Sequence, residues 1–183
     1  MNGRSIALLV VAALVATPAI AQQQRGTLEP GAFVRYTHFD RSLGLGNTMG
    51  VGARMAVYVA PRVMLELDVA RSSGDRPGAG SVTHTPLHLR VVSMAPVGAR
   101  TDLLLGAGYV RNRYSGAWTA TDRGIATLFG VRYHVNPRVA LRVEATEDLM
   151  LSPANGSPNV SYNANLGIHA GVTASWRPGS GAP

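Results

Sequence analysis

From Val139 onward the apolar residues Val139, Leu141, Val143 and Ala145 alternate with Ala140, Arg142, Glu144 and Thr146. A period of two marks a strand with two unlike faces, and here charge sits in mid-strand on one of them. The arrangement has a second copy upstream. Residues 60–70, Ala-Pro-Arg-Val-Met-Leu-Glu-Leu-Asp-Val-Ala, run parallel to residues 136–146, Asn-Pro-Arg-Val-Ala-Leu-Arg-Val-Glu-Ala-Thr, so the chain reads as repeated hairpins with charges at matching places.

Segments of period two alternate with turn-forming clusters along the chain, and no stretch sustains a period of 3.6. The pattern predicts eight strands, at 31–39, 49–59, 62–71, 85–94, 101–113, 124–134, 138–149 and 161–176. Their connections fall into two alternating kinds. Ala60-Pro61, the stretch Ala95 to Ala99, and Asn136-Pro137 are tight turns, whereas 40–47, 72–84, 114–122 and 152–160 are longer, polar and glycine-rich. Short turns at one end and long loops at the other are the layout of an all-β, eight-stranded antiparallel up-and-down transmembrane β-barrel.

The faces sharpen this picture. Leu65, Leu67 and Val69 oppose Glu66 and Asp68; Leu87, Leu89 and Val91 oppose His88 and Arg90; the last strand sets Leu166, Ile168, Ala170, Val172, Ala174 and Trp176 against Asn165, Gly167, His169, Gly171, Thr173 and Ser175. A soluble lipocalin-like barrel would place the apolar set inside and a membrane barrel outside, so alternation alone leaves both open. Aromatic placement favours the membrane. Phe33, Tyr58, Tyr133 and Trp176 fall near turn ends and Tyr36, Tyr109, Tyr114 and Tyr162 near loop ends, so two girdles are expected, with Tyr58 out of phase because it shares the inward parity of Arg54.

In such a barrel the charged face lines the lumen. The Ala60-Pro61 turn is expected to set Arg54 across from Glu66 or diagonal to Asp68, and the next loop to bring His88 and Arg90 beside Glu66 and Asp68. Arg132, Arg142 and Glu144 form a second group, with Gly106 and Gly108 leaving room for long side chains. An eight-stranded barrel is just wide enough for side chains to fill it, and buried charges persist only when paired, so the expectation is a lumen closed by Arg–Glu/Asp pairs with at most a narrow pore.

Composition adds an address. Arg4 precedes an apolar run from Ile6 to Val15 and the small-residue site Ala19-Ile20-Ala21, which predicts a cleaved signal peptide over 1–21, a barrel over 22–177 and a short tail over 178–183. The chain has no cysteine, so backbone pairing rather than disulfides must hold an exported domain of this size. The net charge of +7 rests entirely on scattered arginines with no basic run, which argues against a nucleic-acid partner.

The signal segment, the eight strands, Gly130-Val131-Arg132-Tyr133, the Asn136-Pro137-Arg138 turn and the final strand from Asn165 to Val172 together resemble the small outer-membrane β-barrel superfamily that includes the transmembrane domain of OmpA. The resemblance covers the mature chain. It implies residence in the bacterial outer membrane, contact with outer-membrane lipid and lipopolysaccharide, handling by periplasmic chaperones and the barrel-assembly machinery, and a monomer. It differs in having only residues 177–183 beyond the last strand, where a peptidoglycan-binding domain would follow, and in placing the terminal aromatic, Trp176, seven residues from the end.

Some barrels of this size modify lipid A, and His38, Asp40 and Ser42 offer the residue types of a Ser–His–acid site at the outer rim. The spacing is unspecific and the His-x-Ser element of the deacylases is absent, so the chain is read as a non-enzyme with no catalytic residue. His84 and His88 stand about 13 Å apart on a strand, too far to share an ion, and no metal or cofactor is expected. Gly50-Val51-Gly52 and Gly106-Ala107-Gly108 precede no helix and are not phosphate loops.

Overall fold

The computed structural model describes residues 24–151 and 162–177; the expected signal peptide, the loop at 152–160 and the tail at 178–183 lie outside them. Eight antiparallel strands follow in order: β1 (Leu28–His38), β2 (Thr48–Ala60), β3 (Val63–Arg76), β4 (Gly80–Gly98), β5 (Thr101–Gly116), β6 (Ala120–His134), β7 (Val139–Met150) and β8 (Asn163–Ala174). Each pairs with its sequence neighbours, and β8 closes on β1. Closure satisfies every edge, which is what a sheet needs when no water is available to solvate free N–H and C=O groups.

One outward-facing row of paired residues shows how the ring closes. It passes from Leu28 to Val57, Leu65, Val91, Ala107, Thr127, Glu147 and Leu166, and returns to β1 at His38. The ten-residue displacement along β1 is the stagger of the barrel. It forces the strands to tilt, so positions on one row climb steadily from the turn end toward the loop end.

The faces are inverted relative to a soluble protein. Arg142 and Glu144 are each 1 % exposed, while Leu141 and Val143 between and beside them are 50 % and 58 % exposed. In water such an outer wall would be strongly unfavourable, at about 25 cal/mol for every Å² of apolar surface. The same wall is the natural one in hydrocarbon. Outward aromatics flank it, Tyr133 and Trp176 toward the turn end and Tyr36, Tyr109 and Tyr162 toward the loop end.

Four expectations are corrected here. Phe33 belongs to neither girdle: it shares the inward parity of Arg35, is buried, and stacks on His169 with ring centroids 4.8 Å apart. Tyr114 also points inward and is buried. The segments 72–84 and 114–122 are largely strand, because β3 runs on to Arg76, β4 begins at Gly80, β5 runs to Gly116 and β6 begins at Ala120. Polar alternation above the apolar band pairs as readily as the band itself, and only 77–79 and 117–119 remain as tips. Likewise β4 extends through Ala95 to Gly98, leaving Ala99-Arg100 as the turn.

Between β1 and β2 the chain turns inward instead of outward. Arg41–Leu43 form one turn of 3₁₀ helix, ended by Gly44 at φ 61°, a left-handed conformation suited to glycine. Leu43 is thereby buried with Phe39, Val82, Tyr114 and Ala120, and Leu45 and Trp118 pack against them. A second apolar cluster, Ala56, Tyr58, Met64, Val92, Met94, Leu104 and Leu128, fills the interior toward the turn end.

Candidate functional site

Most of the charged residues lie between those two apolar clusters, where β7 organises them, and a further group sits at the turn end. Arg54 on β2 donates from Nη1 to both oxygens of Glu144 at 2.7 and 2.8 Å. Arg142 donates from Nη1 to Glu66 Oε2 on β3 at 2.7 Å and from Nε to Glu144 Oε1 at 2.5 Å. The Arg54–Glu144 and Arg142–Glu66 bonds join strands that are not neighbours in the sheet, so they cross the lumen, while the Arg142–Glu144 bond lies within β7 and ties the two together. Arg90 links Glu66, at 3.2 Å, to Asp68.

The expected neighbour of Arg54 is partly corrected. Its direct cross-strand partner is Asp68, and Glu66 is paired with Ala56, because the register shifts between Tyr58 and Ala60 at the turn. Arg54 instead spans the interior to Glu144, with Glu66 at 3.7 Å, and its guanidinium lies 4.5 Å over the Phe33 ring. Glu66 with Arg90 and Asp68 with His88 are paired as the loop arithmetic implied.

Toward the loop end His88 stands between two carboxylates, with Nδ1 2.7 Å from Asp68 Oδ1 and Nε2 2.9 Å from Asp148 Oδ1. Only a ring protonated on both nitrogens donates to both. Arg35 donates to the second oxygen of Asp148 at 2.9 Å and to Thr37 at 3.1 Å. Toward the turn end Arg132 donates to Asp102 at 2.7 and 3.0 Å and to Glu29 at 2.9 Å, and it also contacts Tyr58 Oη. Tyr58 in turn donates to Glu29 at 2.7 Å, and His134 meets Asp102 at 2.8 Å beside a cleft of about 430 Å³ that opens at the turn end.

Sequence reasoning named Arg54, Glu66, Asp68, His88, Arg90, Arg132, Arg142 and Glu144, and all eight are buried in this network. It omitted Glu29, Arg35, Asp102, Asp148 and His169. The signal was present, since each has the same parity as an inward residue on its own strand, such as Arg142 and Glu144 for Asp148. The glycine reading shifts as well. A Cβ on Gly108 would strike the backbone of Leu89 and Arg90, so this glycine permits close strand approach. Room for an arginine is made at Gly167, where a Cβ would sit 3.1 Å from both Nε and Nη2 of Arg35.

The rim residues weighed for catalysis have other surroundings. His38 faces outward at the end of β1. Asp40 caps the 3₁₀ turn, accepting from the Ser42 amide at 2.8 Å and from the Ala164 amide of β8 at 3.2 Å, while its own amide donates to Asn165 Oδ1. Burial alone would raise the pKa of Asp40, but hydrogen bonds from Ser42 and Ala164, with the charge of His38, hold it below the ordinary carboxylate value.

Comparison with known proteins places this geometry. The solved structure of neisserial surface protein A is similar with a TM-score of 0.64 and 17 % identity over 82 % of this chain and 96 % of that one. The outer membrane protein OprG of Pseudomonas aeruginosa matches with a TM-score of 0.62 and 12 % identity, over 87 % and 100 % of the two chains. The N-terminal β-barrel domain of Pseudomonas aeruginosa OprF gives 0.54 and 12 %, over 84 % and 100 %. At these identities the likeness is one of fold. A search of curated proteins finds none that matches. The outer membrane protein beta-barrel domain, however, matches residues 7–175, nearly the whole chain, and the protein belongs to that family.

Proposed function

We propose that the chain is an integral outer-membrane protein with a structural or surface-interaction role, not an enzyme, whose lumen is closed to ions. The signal segment 1–21 is removed on export, periplasmic chaperones and the barrel-assembly machinery deliver the rest, and it works as a monomer with its loop end facing outward among lipopolysaccharide. The observation that carries this reading is the stacked interior: a cross-lumen ion-pair lattice with apolar packing on both sides of it and a further ion-pair group at the turn end. A water-filled pore needs continuous polar space, and side chains occupy it here.

A surface role is supported by the outer hairpins. β3 and β4 run for 14 and 19 residues, beyond the roughly 9–11 that a tilted strand needs to cross a bilayer. The Arg76 guanidinium lies 5.3 Å over the Trp118 ring, tying the β3–β4 hairpin to the β5–β6 tip, so the protruding surface is ordered enough to be recognised. Fractionation of cells and N-terminal sequencing, with planar-bilayer recording of the purified protein, test the proposal. A mature start at Gln22, recovery with the outer membrane and no ion conductance are expected; steady conductance would reject the closed lumen.

A further inference from the structure

Five of the arginines are buried in the lumen, but Arg111, Arg113 and Arg123 face outward on β5 and β6. Arg111 is directly opposite Arg123 in the β5–β6 ladder, and Arg113 follows on the same face. Cβ atoms of such a pair lie about 4.5–5.5 Å apart, and like charges so placed repel unless an anion lies between them. Among the described residues none of the three forms an ion pair.

Directly below, four residues down each strand, the same wall carries small side chains. Ala107 pairs with Thr127, and Thr127 with Glu147, beside a groove of about 610 Å³ also bordered by Leu105, Phe129 and Leu166. Four residues are about 13 Å along the strand, and about 10 Å in depth for strands tilted near 40°. The groove is therefore within the outer half of a hydrocarbon layer about 30 Å thick. Glu147 is exposed on this wall, and among the described residues it has no hydrogen-bond or ion-pair partner. A carboxyl facing bare acyl chains is unfavourable, but one facing a hydroxyl or amide is not.

The geometry points to a lipid site on the β5–β7 wall: phosphate held by Arg111, Arg113 and Arg123, an acyl chain in the groove, and Glu147 with Thr127 meeting a polar group carried below the headgroup. The occupant is a phosphorylated glycolipid with hydroxylated or amide-linked chains, which a simple phospholipid does not match at Glu147. The inference rests on the proposed outward orientation of the loop end.

The test uses the full mature chain folded into phosphatidylcholine vesicles, alone or with diphosphorylated lipid A, dephosphorylated lipid A, phosphatidylglycerol at equal charge, or pyrophosphate in the buffer. Thermal unfolding is followed by the shift between folded and unfolded migration on gels. Diphosphorylated lipid A is expected to raise the midpoint by several degrees, more than any other addition. R111A/R123A should lose most of that increment with an unchanged midpoint in phosphatidylcholine, and E147A should lose part of it. Equal protection by phosphatidylglycerol or by pyrophosphate, or full protection of R111A/R123A, would overturn the site while leaving the barrel intact. Failure of the wild-type chain to fold in any vesicle would instead remove the membrane reading on which the site depends.

Discussion

Arg142 on β7 reaches across the barrel interior to Glu66 on β3, N to O 2.7 Å, with both side chains almost wholly withdrawn from solvent. A single contact of this kind connects opposite walls that the hydrogen-bonded ladder joins only by going around the ring. Its energetics follow from desolvation: a buried ion is tolerable with its partner and costly without it.

Removing either partner should therefore be expensive. R142A or E66A is expected to lower stability by about 3–5 kcal/mol, since each leaves an uncompensated buried charge. R142M/E66L should cost less than the two single changes added together, because apolar side chains of similar size remove the need for compensation. Urea unfolding of the refolded protein in lipid vesicles measures all three; strictly additive losses would show that the two residues act independently.

The cap at Asp40 gives a pH dependence. Its carboxyl is held below the ordinary value in the folded loop, so the order it confers is complete above the unfolded value and is lost as pH falls through the folded one. D40A should loosen the loop at all pH values, by about 1 kcal/mol as for other lost caps. Hydrogen exchange at the amides of Ser42 and Ala164 reads this directly, and wild type should approach the D40A pattern only in acid. Exchange that is insensitive to both changes would mean that the cap does not hold the loop.

The non-enzyme reading predicts that H38A/S42A leaves the lipid A of an expressing strain unchanged relative to wild type. Mass spectrometry of extracted lipid A makes the comparison. A species that is present with the wild-type chain and lost with the double variant would establish chemistry at the rim.

Crowding at Gly167 predicts a steric lesion in the ion network. G167V would drive its side chain into Arg35 and Thr146, whose atoms already lie 2.5–3.1 Å from the position of an added Cβ. Arg35 would then be forced off Asp148, with destabilisation comparable to R35A. Combining G167V with R35A should cost little beyond G167V alone, which the same urea series measures.

Much of this architecture could be read from period two alone, because one register decides the face of every residue on a strand. Glu66, Arg90, Arg142 and Glu144 announce their side as charges in mid-strand. Met64, Val92, Leu104 and Leu128 do not: they share the inward parity but look like lipid-facing residues, so the apolar filling of the lumen was hidden. Phe33 was misplaced for a related reason, as ring chemistry suits a girdle and only its phase with Arg35 places it inside. Glu29, Asp102 and Asp148 stand near strand ends, where alternation is hard to separate from loop polarity. Pairing across the lumen, such as Arg54 with Glu144, depends on the ten-residue stagger, which no local pattern encodes.

The inverted arrangement itself is open to direct measurement, since the chain has no native cysteine to interfere. Single cysteines at Val143, Ile168 and Ala140 would be labelled with a fluorophore after folding into vesicles containing lipids brominated in mid-chain. The account predicts strong quenching at positions 143 and 168 and none at Ala140, which faces the packed interior. Quenching at Ala140 with positions 143 and 168 shielded, in a protein that stays dissolved without detergent, would contradict it.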